Sequence, residues 1–126
     1  IYLFFPIYPS QMNVQSNDDD EQKIPYREIS DRPGDKDCEK VKVFLPIEIS
    51  DDLLFDIIRE TKAAVAQFGF EKGDEIVKHL KGYLDEKCDP YWHIVMGRNF
   101  GTYCIHEKNK FVYFVIDKFT FLMYKA

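Results

Sequence analysis

Cysteine is scarce in this sequence and follows no recognisable pattern. The 126 residues contain three cysteines, Cys38, Cys88 and Cys104, and no two of them form a C-x-x-C pair. An odd number without paired spacing argues against a disulfide framework and against a zinc site. We therefore predict a reducing compartment and no metal, and no motif in the sequence points to a cofactor.

Long apolar runs and an excess of positive charge are also missing. No run approaches the roughly 20 apolar residues of a membrane-spanning helix. The apolar stretch 1–9 is short, is interrupted by Pro6 and Pro9 and has no basic lead-in, so we predict neither a signal peptide nor membrane association. The net charge of −5 argues against a broad nucleic-acid-binding surface.

The composition changes near residue 40. Residues 1–40 carry nine acidic and five basic side chains, and much of this stretch is polar and turn-rich without periodicity. Residues 41–126 are nearly neutral, and the sequence as a whole is 45% hydrophobic and 16% aromatic, which supports a packed core. We predict an acidic, disordered N-terminal arm over 1–40 and one folded domain over 41–126.

The sequence pattern of residues 41–126 predicts one strand, two helices and four strands, in that order. Val41–Leu45 alternates as a strand. A first helix starts after Ser50 as N-cap and stops at Gly69, and a second occupies 73–89. The last strands are Trp92–Met96, Asn99–Glu107, Phe111–Ile116 and Phe119–Lys125. Their links at 108–110 and 117–118 are short enough for hairpins. The fold class is α+β with an antiparallel sheet.

One strand of this sheet is apolar on both faces. Phe111, Tyr113 and Val115 alternate with Val112, Phe114 and Ile116. Two helices cover only one face, and the chain offers no evident cover for the other. The pattern therefore predicts dimerisation.

The C-terminal strands carry the motifs of a known family. These are Trp92-His93, Gly97-Arg98-Asn99-Phe100-Gly101, Tyr103, His106-Glu107 and Phe111-x-Tyr113-Phe114. In order and spacing they resemble the eight-kilodalton dynein light chain family, types 1 and 2. The resemblance reaches back to about Val41, and residues 1–40 have no counterpart in it.

This resemblance implies a strand-swapped homodimer, in which the strand Asn99–Glu107 crosses to the partner's sheet. It implies a non-catalytic subunit of a dynein motor and a dimerising hub. Partners such as the dynein intermediate chain would bind as extended Thr-Gln-Thr-like peptides, by β-strand addition. The implied location is the cytoplasm and cytoskeleton, with the ciliary or flagellar axoneme as an alternative.

The resemblance also assigns residues to two surfaces. The implied peptide groove comprises Glu71, Lys72, Arg98, Asn99, Phe100, Gly101, Thr102, Cys104, His106, Phe111, Tyr113 and Leu122. The implied dimer interface comprises Lys81, His93, Tyr103 and Ile105. The sequence departs from the family pattern at Val115 and Ile105, where the family usually has tyrosine and often has threonine, and by about two extra residues around Gly73–Asp74. We therefore expect a shifted peptide preference.

Two alternatives remain open at this point. One is a dedicated assembly subunit of an axonemal dynein, with a diverged groove. The other is a small thiol-dependent enzyme that uses Cys104 and His106, which lie two apart on a strand and so point the same way. Such a pair also needs an orienting group and an oxyanion site, and neither is evident. We therefore expect a protein that is not an enzyme.

Overall fold

The computed structural model describes residues 2–7, 25–30, 40–98 and 100–126. For residues 2–7, 102 and 103 it describes the backbone. The other residues of the predicted arm, and Asn99, lie outside the described residues.

The described elements confirm an α+β fold with the predicted order in the main domain. They are β1 (Tyr2–Ile7), β2 (Tyr26–Ile29), β3 (Val41–Phe44), β4 (Glu48–Ile49), α1 (Asp51–Phe68), a 3₁₀ turn (Phe70–Lys72), α2 (Gly73–Lys87), β5 (Trp92–Gly97), β6 (Thr102–Glu107), β7 (Lys110–Ile116) and β8 (Phe119–Lys125). The sequence prediction missed the two-residue β4 and both strands N-terminal to residue 40.

Those two strands correct the prediction of a disordered arm in the stretches they occupy. β2 pairs antiparallel with β3, from Tyr26 opposite Phe44 to Ile29 opposite Val41. Only Ile29 of β2 is buried, so the strand has little apolar periodicity of its own, and the polar residues around it dominate the composition. β1 pairs with β6 at the far end of the chain. Pairing over that distance leaves no local signal in sequence.

The first helix begins and ends where the sequence predicts. The side chain of Ser50 accepts a hydrogen bond from the backbone N–H of Leu53 at 3.4 Å, and two aspartates in the first turn suit the positive end of the helix dipole. Gly69 ends the helix with a φ of 81°, a left-handed conformation that glycine adopts without steric cost. Its N–H donates to the carbonyl of Val65 at 2.8 Å.

Both helices pack on one face of a six-stranded antiparallel sheet. The strand order is β2-β3-β7-β8-β5, and β4 also pairs with β7. The buried residues of the helices are Leu54, Ile57, Ile58, Thr61, Ala64, Ile76, Leu80 and Leu84. They enclose the inward side chains of the sheet, among them the fully buried Trp92, Phe114 and Phe121. This layer forms the main core.

The predicted hairpin between β7 and β8 is confirmed, but the predicted hairpin between β6 and β7 is wrong. Ile116 pairs with Phe119 across a two-residue turn, and Asp117 in that turn has a φ of 57°. β6 pairs with β1 in a separate two-stranded sheet. The chain therefore passes from this small sheet into the main sheet after β6, and β7 does not pair with β6 although the link is short enough for a hairpin.

The outer face of the main sheet is covered within the chain, contrary to the expectation that it lacks a cover. Side chains from β6 and from the sheet form a second buried cluster: Phe44, Cys104, Phe111, Tyr113, Val115 and Leu122. Alternation along β7 shows that both faces are apolar, but it does not show which segment lies against each face. Here β6 packs against the outer face.

Candidate functional site

β6 is the central element of the candidate site, because neither of its edges pairs with a strand of the main sheet. One edge pairs along its full length with β1, from Tyr2 opposite Glu107 to Ile7 opposite Thr102. Among the described residues, no strand pairs with the other edge. A strand with unpaired N–H and C=O groups is a ready template for an added strand.

The side chains of Cys104 and His106 point from β6 into the outer cluster. His106 is fully buried, and its ring stacks on Phe111 with centroids 4.6 Å apart. Its Nδ1 lies 2.8 Å from the carbonyl oxygen of Glu107. Cys104 is 5% exposed, and burial raises the pKa of its thiol. A buried thiol held in its neutral form is a poor nucleophile, so the geometry gives the enzyme alternative no support.

Ile105 lies on the opposite face of β6 from Cys104 and His106. Its side chain is 50% exposed. At the end of β6, the carboxylate of Glu107 forms an ion pair with Lys125 of β8 at 3.1 Å. This pair ties the end of β6 to the main sheet.

β5 also has a free edge among the described residues, since it pairs with β8 on one side only; β2 is the edge strand at the other end of the main sheet. Two residues predicted at the dimer interface are close to this free edge strand β5: His93 belongs to β5, and Lys81 contacts the start of β5. His93 is exposed and stacks on Tyr124 with ring centroids 5.1 Å apart. Val95, which the prediction omitted, is 36% exposed on the same face of the strand.

A polar clamp holds the start of β5 against α2. The carboxylate of Asp85 accepts a hydrogen bond from the N–H of Trp92 at 2.7 Å and another from Lys81 Nζ at 2.6 Å. Lys81 Nζ also donates to the carbonyl of Trp92 at 2.8 Å. Lys81, predicted at the dimer interface, therefore positions β5 within its own chain. The i, i+4 spacing of Lys81 and Asp85 was a sequence signal for their pairing.

Three predicted groove residues lie apart from the outer cluster, at an exposed corner. Glu71 and Lys72 are exposed on the 3₁₀ turn. Their neighbour Phe70 stacks on Phe119 with centroids 4.5 Å apart. The guanidinium of Arg98 lies 5.1 Å from the centroid of the same Phe119 ring. Phe119 therefore contacts both Phe70 and Arg98 and links the 3₁₀ turn to the end of β5.

Most of the predicted groove residues therefore fall into two groups. Phe100, Cys104, His106, Phe111, Tyr113 and Leu122 meet in or against the buried outer cluster. Glu71, Lys72 and Arg98 form the exposed corner, and Gly101 is exposed just before β6. Thr102 of the predicted groove lies in β6 opposite Ile7, and Tyr103 of the predicted dimer interface lies opposite Pro6. The prediction missed β1 altogether, although residues 2–7 form an apolar run of the kind that enters strands.

The described residues offer neither a metal site nor a membrane-spanning helix. They contain no cluster of three or more His, Cys, Asp or Glu side chains arranged to hold a metal ion. None of the helices described is both long and apolar enough to cross a membrane.

Comparison with known proteins identifies the family. The model of the family "Dynein light chain type 1" matches residues 42–126. Dynein light chain 1, cytoplasmic, of Saccharomyces cerevisiae is 40% identical over 79 residues, which cover 63% of this chain and 84% of the relative. The Kluyveromyces lactis protein of the same name is 38% identical over 79 residues, 63% of this chain and 88% of the relative. A dynein light chain of Schistosoma mansoni is 33% identical over 88 residues, 70% of this chain and 97% of the relative.

Solved structures agree on the fold. Two crystal structures of the dynein light chain-like domain of a Fasciola hepatica calcium-binding protein superpose with TM-scores of 0.57 and 0.56, at 16% and 18% identity. They cover 79% and 68% of this chain and 99% and 91% of that domain. At this identity the likeness concerns the fold alone. Together with the family match over 42–126, it leads to one conclusion: the chain belongs to the dynein light chain family.

Proposed function

We propose that the chain is a non-catalytic light chain of a dynein motor and a dimerising hub that binds extended segments of partner proteins by β-strand addition. The observation that carries this proposal is the position of β6. It is a full strand outside the main sheet, and one of its edges already holds an added antiparallel strand along six residues. Backbone pairing of this kind gives affinity, and neighbouring side-chain pockets give specificity.

The proposed dimer uses two of the free strand edges, those of β6 and β5. We propose that the unpaired edge of β6 pairs with the free edge of β5 in a second copy of the chain. Exposed apolar side chains mark both strands, Ile105 at 50% and Val95 at 36% exposure. Unpaired edges that carry exposed aliphatic residues favour association, and a two-fold dimer would close both edges twice.

The dimer is tested by sedimentation velocity at micromolar concentration. We expect a particle of twice the 15.0 kDa chain mass. Ile105→Lys should give single chains with an unchanged circular dichroism spectrum, because the side chain is half exposed and does not support the core. Ile105→Thr, which keeps the strand propensity, is the matched control and should remain a dimer. A native chain that sediments as 15.0 kDa across this range would end the dimer proposal.

Peptide binding is tested by calorimetric titration with a Thr-Gln-Thr peptide. Gly101→Val should abolish binding, because a branched side chain would stand where the ligand backbone approaches the start of β6. Gly82→Val is the matched control, since a Cβ at this helix position meets nothing within 4 Å. Equal affinities for both variants would show that the ligand edge lies elsewhere.

The names of the two yeast relatives support cytoplasmic dynein and the cytoskeleton as the setting. The alternative is a dedicated subunit of an axonemal dynein with a narrow preference. One observation favours it: β1 already occupies an edge of β6, which restricts access for general partners. A peptide-array profile separates the two, because a hub tolerates many motifs and a dedicated subunit tolerates few or none.

A further inference from the structure

We infer that residues 2–7 are an internal ligand for β6, which occupies in cis the edge where a partner's peptide would add. The competition with partner peptides rests on the proposed function, whereas the docking itself rests on the strand pairing. β1 is antiparallel to β6, and its six residues match all six residues of β6 in one continuous register.

The pairing has the form of a ligand complex. β1 and β6 make a sheet of two strands, and the structure describes no other strand beside β1. β1 therefore depends on β6 for its backbone hydrogen bonds, as an added peptide does. A two-stranded pair is marginal by itself in water, so the packing of β6 against the outer cluster contributes to holding the pair in place.

The sequence of β1 suits a strand that fills an edge and ends the sheet. Four of its six residues, Tyr2, Phe4, Phe5 and Ile7, belong to the aromatic and β-branched types that favour strands. Pro6 has no backbone N–H, and within sheets proline is typical of edge strands, as β1 is here. With β1 in place, this edge of β6 is closed to addition.

Tethering makes the internal ligand effective. Because β1 belongs to the same chain, it meets β6 at an effective concentration on the order of millimolar, whatever the protein concentration. A partner peptide then binds only to the fraction of chains whose β1 has released. If β1 is docked about nine-tenths of the time, the apparent affinity for a free peptide falls about tenfold.

The test disrupts the β1 backbone in the full chain. Neighbouring N–H groups of a strand point to opposite edges, so one of each consecutive pair faces β6. Phe4→Pro/Phe5→Pro removes that donor whichever residue carries it. The matched control is Gln11→Pro/Met12→Pro, which makes the same change outside β1. Calorimetry with a Thr-Gln-Thr peptide should give a dissociation constant about tenfold tighter for the β1 variant and an unchanged value for the control.

A second measurement does not depend on the Thr-Gln-Thr motif. A synthetic peptide with the sequence of residues 1–9, carrying a lysine tail for solubility, should bind the β1 variant and should bind the native chain at least about tenfold more weakly. Hydrogen exchange of residues 102–107 should be faster in the β1 variant than in the native chain. In the native chain it should be equal at two protein concentrations that give the same oligomeric state in sedimentation, as docking in cis requires.

The outcomes separate the two proposals. If the residue 1–9 peptide binds the β1 variant and the Thr-Gln-Thr peptide binds neither protein, the internal ligand stands and the motif preference is wrong. Equal affinities and equal exchange rates in the native chain and the variant would overturn the internal ligand alone. A variant that dimerises where the native chain does not would place β1 on the dimer edge, and the assignment to the ligand edge would be wrong.

Discussion

The clamp between α2 and β5 determines where β5 begins, and its removal should measurably destabilise the chain. Asp85 accepts hydrogen bonds from the backbone N–H of Trp92 and from Lys81 Nζ. Asp85→Ala removes both acceptor oxygens and leaves the Trp92 N–H without this partner, beside a fully buried indole. Asp85→Asn keeps one carbonyl oxygen for the N–H, removes the charge and replaces the oxygen that accepts from Lys81 with an amide NH2 group.

The magnitude follows from the exposure of the groups. The side chains of Asp85 and Lys81 are 25% and 46% exposed, so water screens their ion pair strongly. Such pairs contribute about 0–1 kcal/mol. Loss of the partner of the Trp92 N–H costs about 1–2 kcal/mol, as expected for a partly buried donor. We therefore expect Asp85→Ala to lower the free energy of unfolding by about 1–2 kcal/mol and Asp85→Asn to lower it by less than about 1 kcal/mol.

The assay is urea unfolding followed by the fluorescence of Trp92, the single tryptophan of the sequence. With a slope of about 2 kcal/mol per molar urea, the midpoint for Asp85→Ala should fall by about 0.5–1 M. Glu86→Ala is the matched control, because Glu86 is exposed one position further along α2. Its midpoint should stay at the native value.

The same clamp sets a pH dependence. Burial acts to raise the pKa of Asp85, but the hydrogen bonds from Lys81 and from the Trp92 N–H outweigh it, and the pKa lies below its usual value. A lowered carboxyl pKa stabilises the fold fully above the unfolded pKa of about 3.9, and this contribution is lost as pH falls through the folded pKa. The stability gap between the native chain and Asp85→Asn should be constant from pH 7 to about 5 and should close below about pH 4. Equal midpoints for the native chain and Asp85→Ala, or a gap between the native chain and Asp85→Asn that does not narrow on acidification below about pH 4, would refute this account of the clamp.

Three further predictions follow from the burial of individual side chains and from the open space beside Gly82. Gly82→Ala should raise the free energy of unfolding by about 0.5–1 kcal/mol in urea, because a Cβ there meets nothing within 4 Å; a lower value would contradict the exposed helical placement. Iodoacetamide at pH 7.5 should alkylate Cys104 more slowly than the partly buried Cys88, as peptide mapping would show, with the difference vanishing in urea; equal native rates would mean that β6 does not pack on the sheet. Phe114→Ala should cost about 3–5 kcal/mol in the same unfolding assay, since Phe114 is fully buried and stacks on Phe121, and a loss under about 1 kcal/mol would place it outside the core.

Local chemistry made the helices and most strands predictable. Ser50 and Gly69 are helix-ending residues whose effect depends only on the turn they occupy, and the structure confirms both. The buried residues of α1 include Ile57 and Ala64, whereas Val65 and Phe68, which continue the four-and-three spacing of Leu54, Ile58 and Thr61, are only partly buried. Periodicity locates the apolar side of a helix, but the neighbouring elements select the residues at its centre.

The candidate site was predictable in part. Motif spacing indicated residues of β6, β7 and β8, and the structure gathers several of them in the outer cluster. Spacing gave no reason to expect Phe44 from β3 in that cluster, nor the exposed corner around Phe119. Those contacts join segments that are distant in the chain, and residue patterns over short windows contain no information about them.

The sequence by itself determined the fold class, the helix ends, the two-sided apolar character of β7 and, through its motifs, the family. Only the tertiary structure decided which segments cover and pair with which. β6 leaves the main sheet to pack on its outer face. β1 pairs with β6 although the two strands, at residues 2–7 and 102–107, are far apart in the sequence. The reason is physical: turn, cap and period preferences act over a few residues, whereas strand pairing is selected by the total burial and hydrogen bonding of segments that meet only in the folded chain.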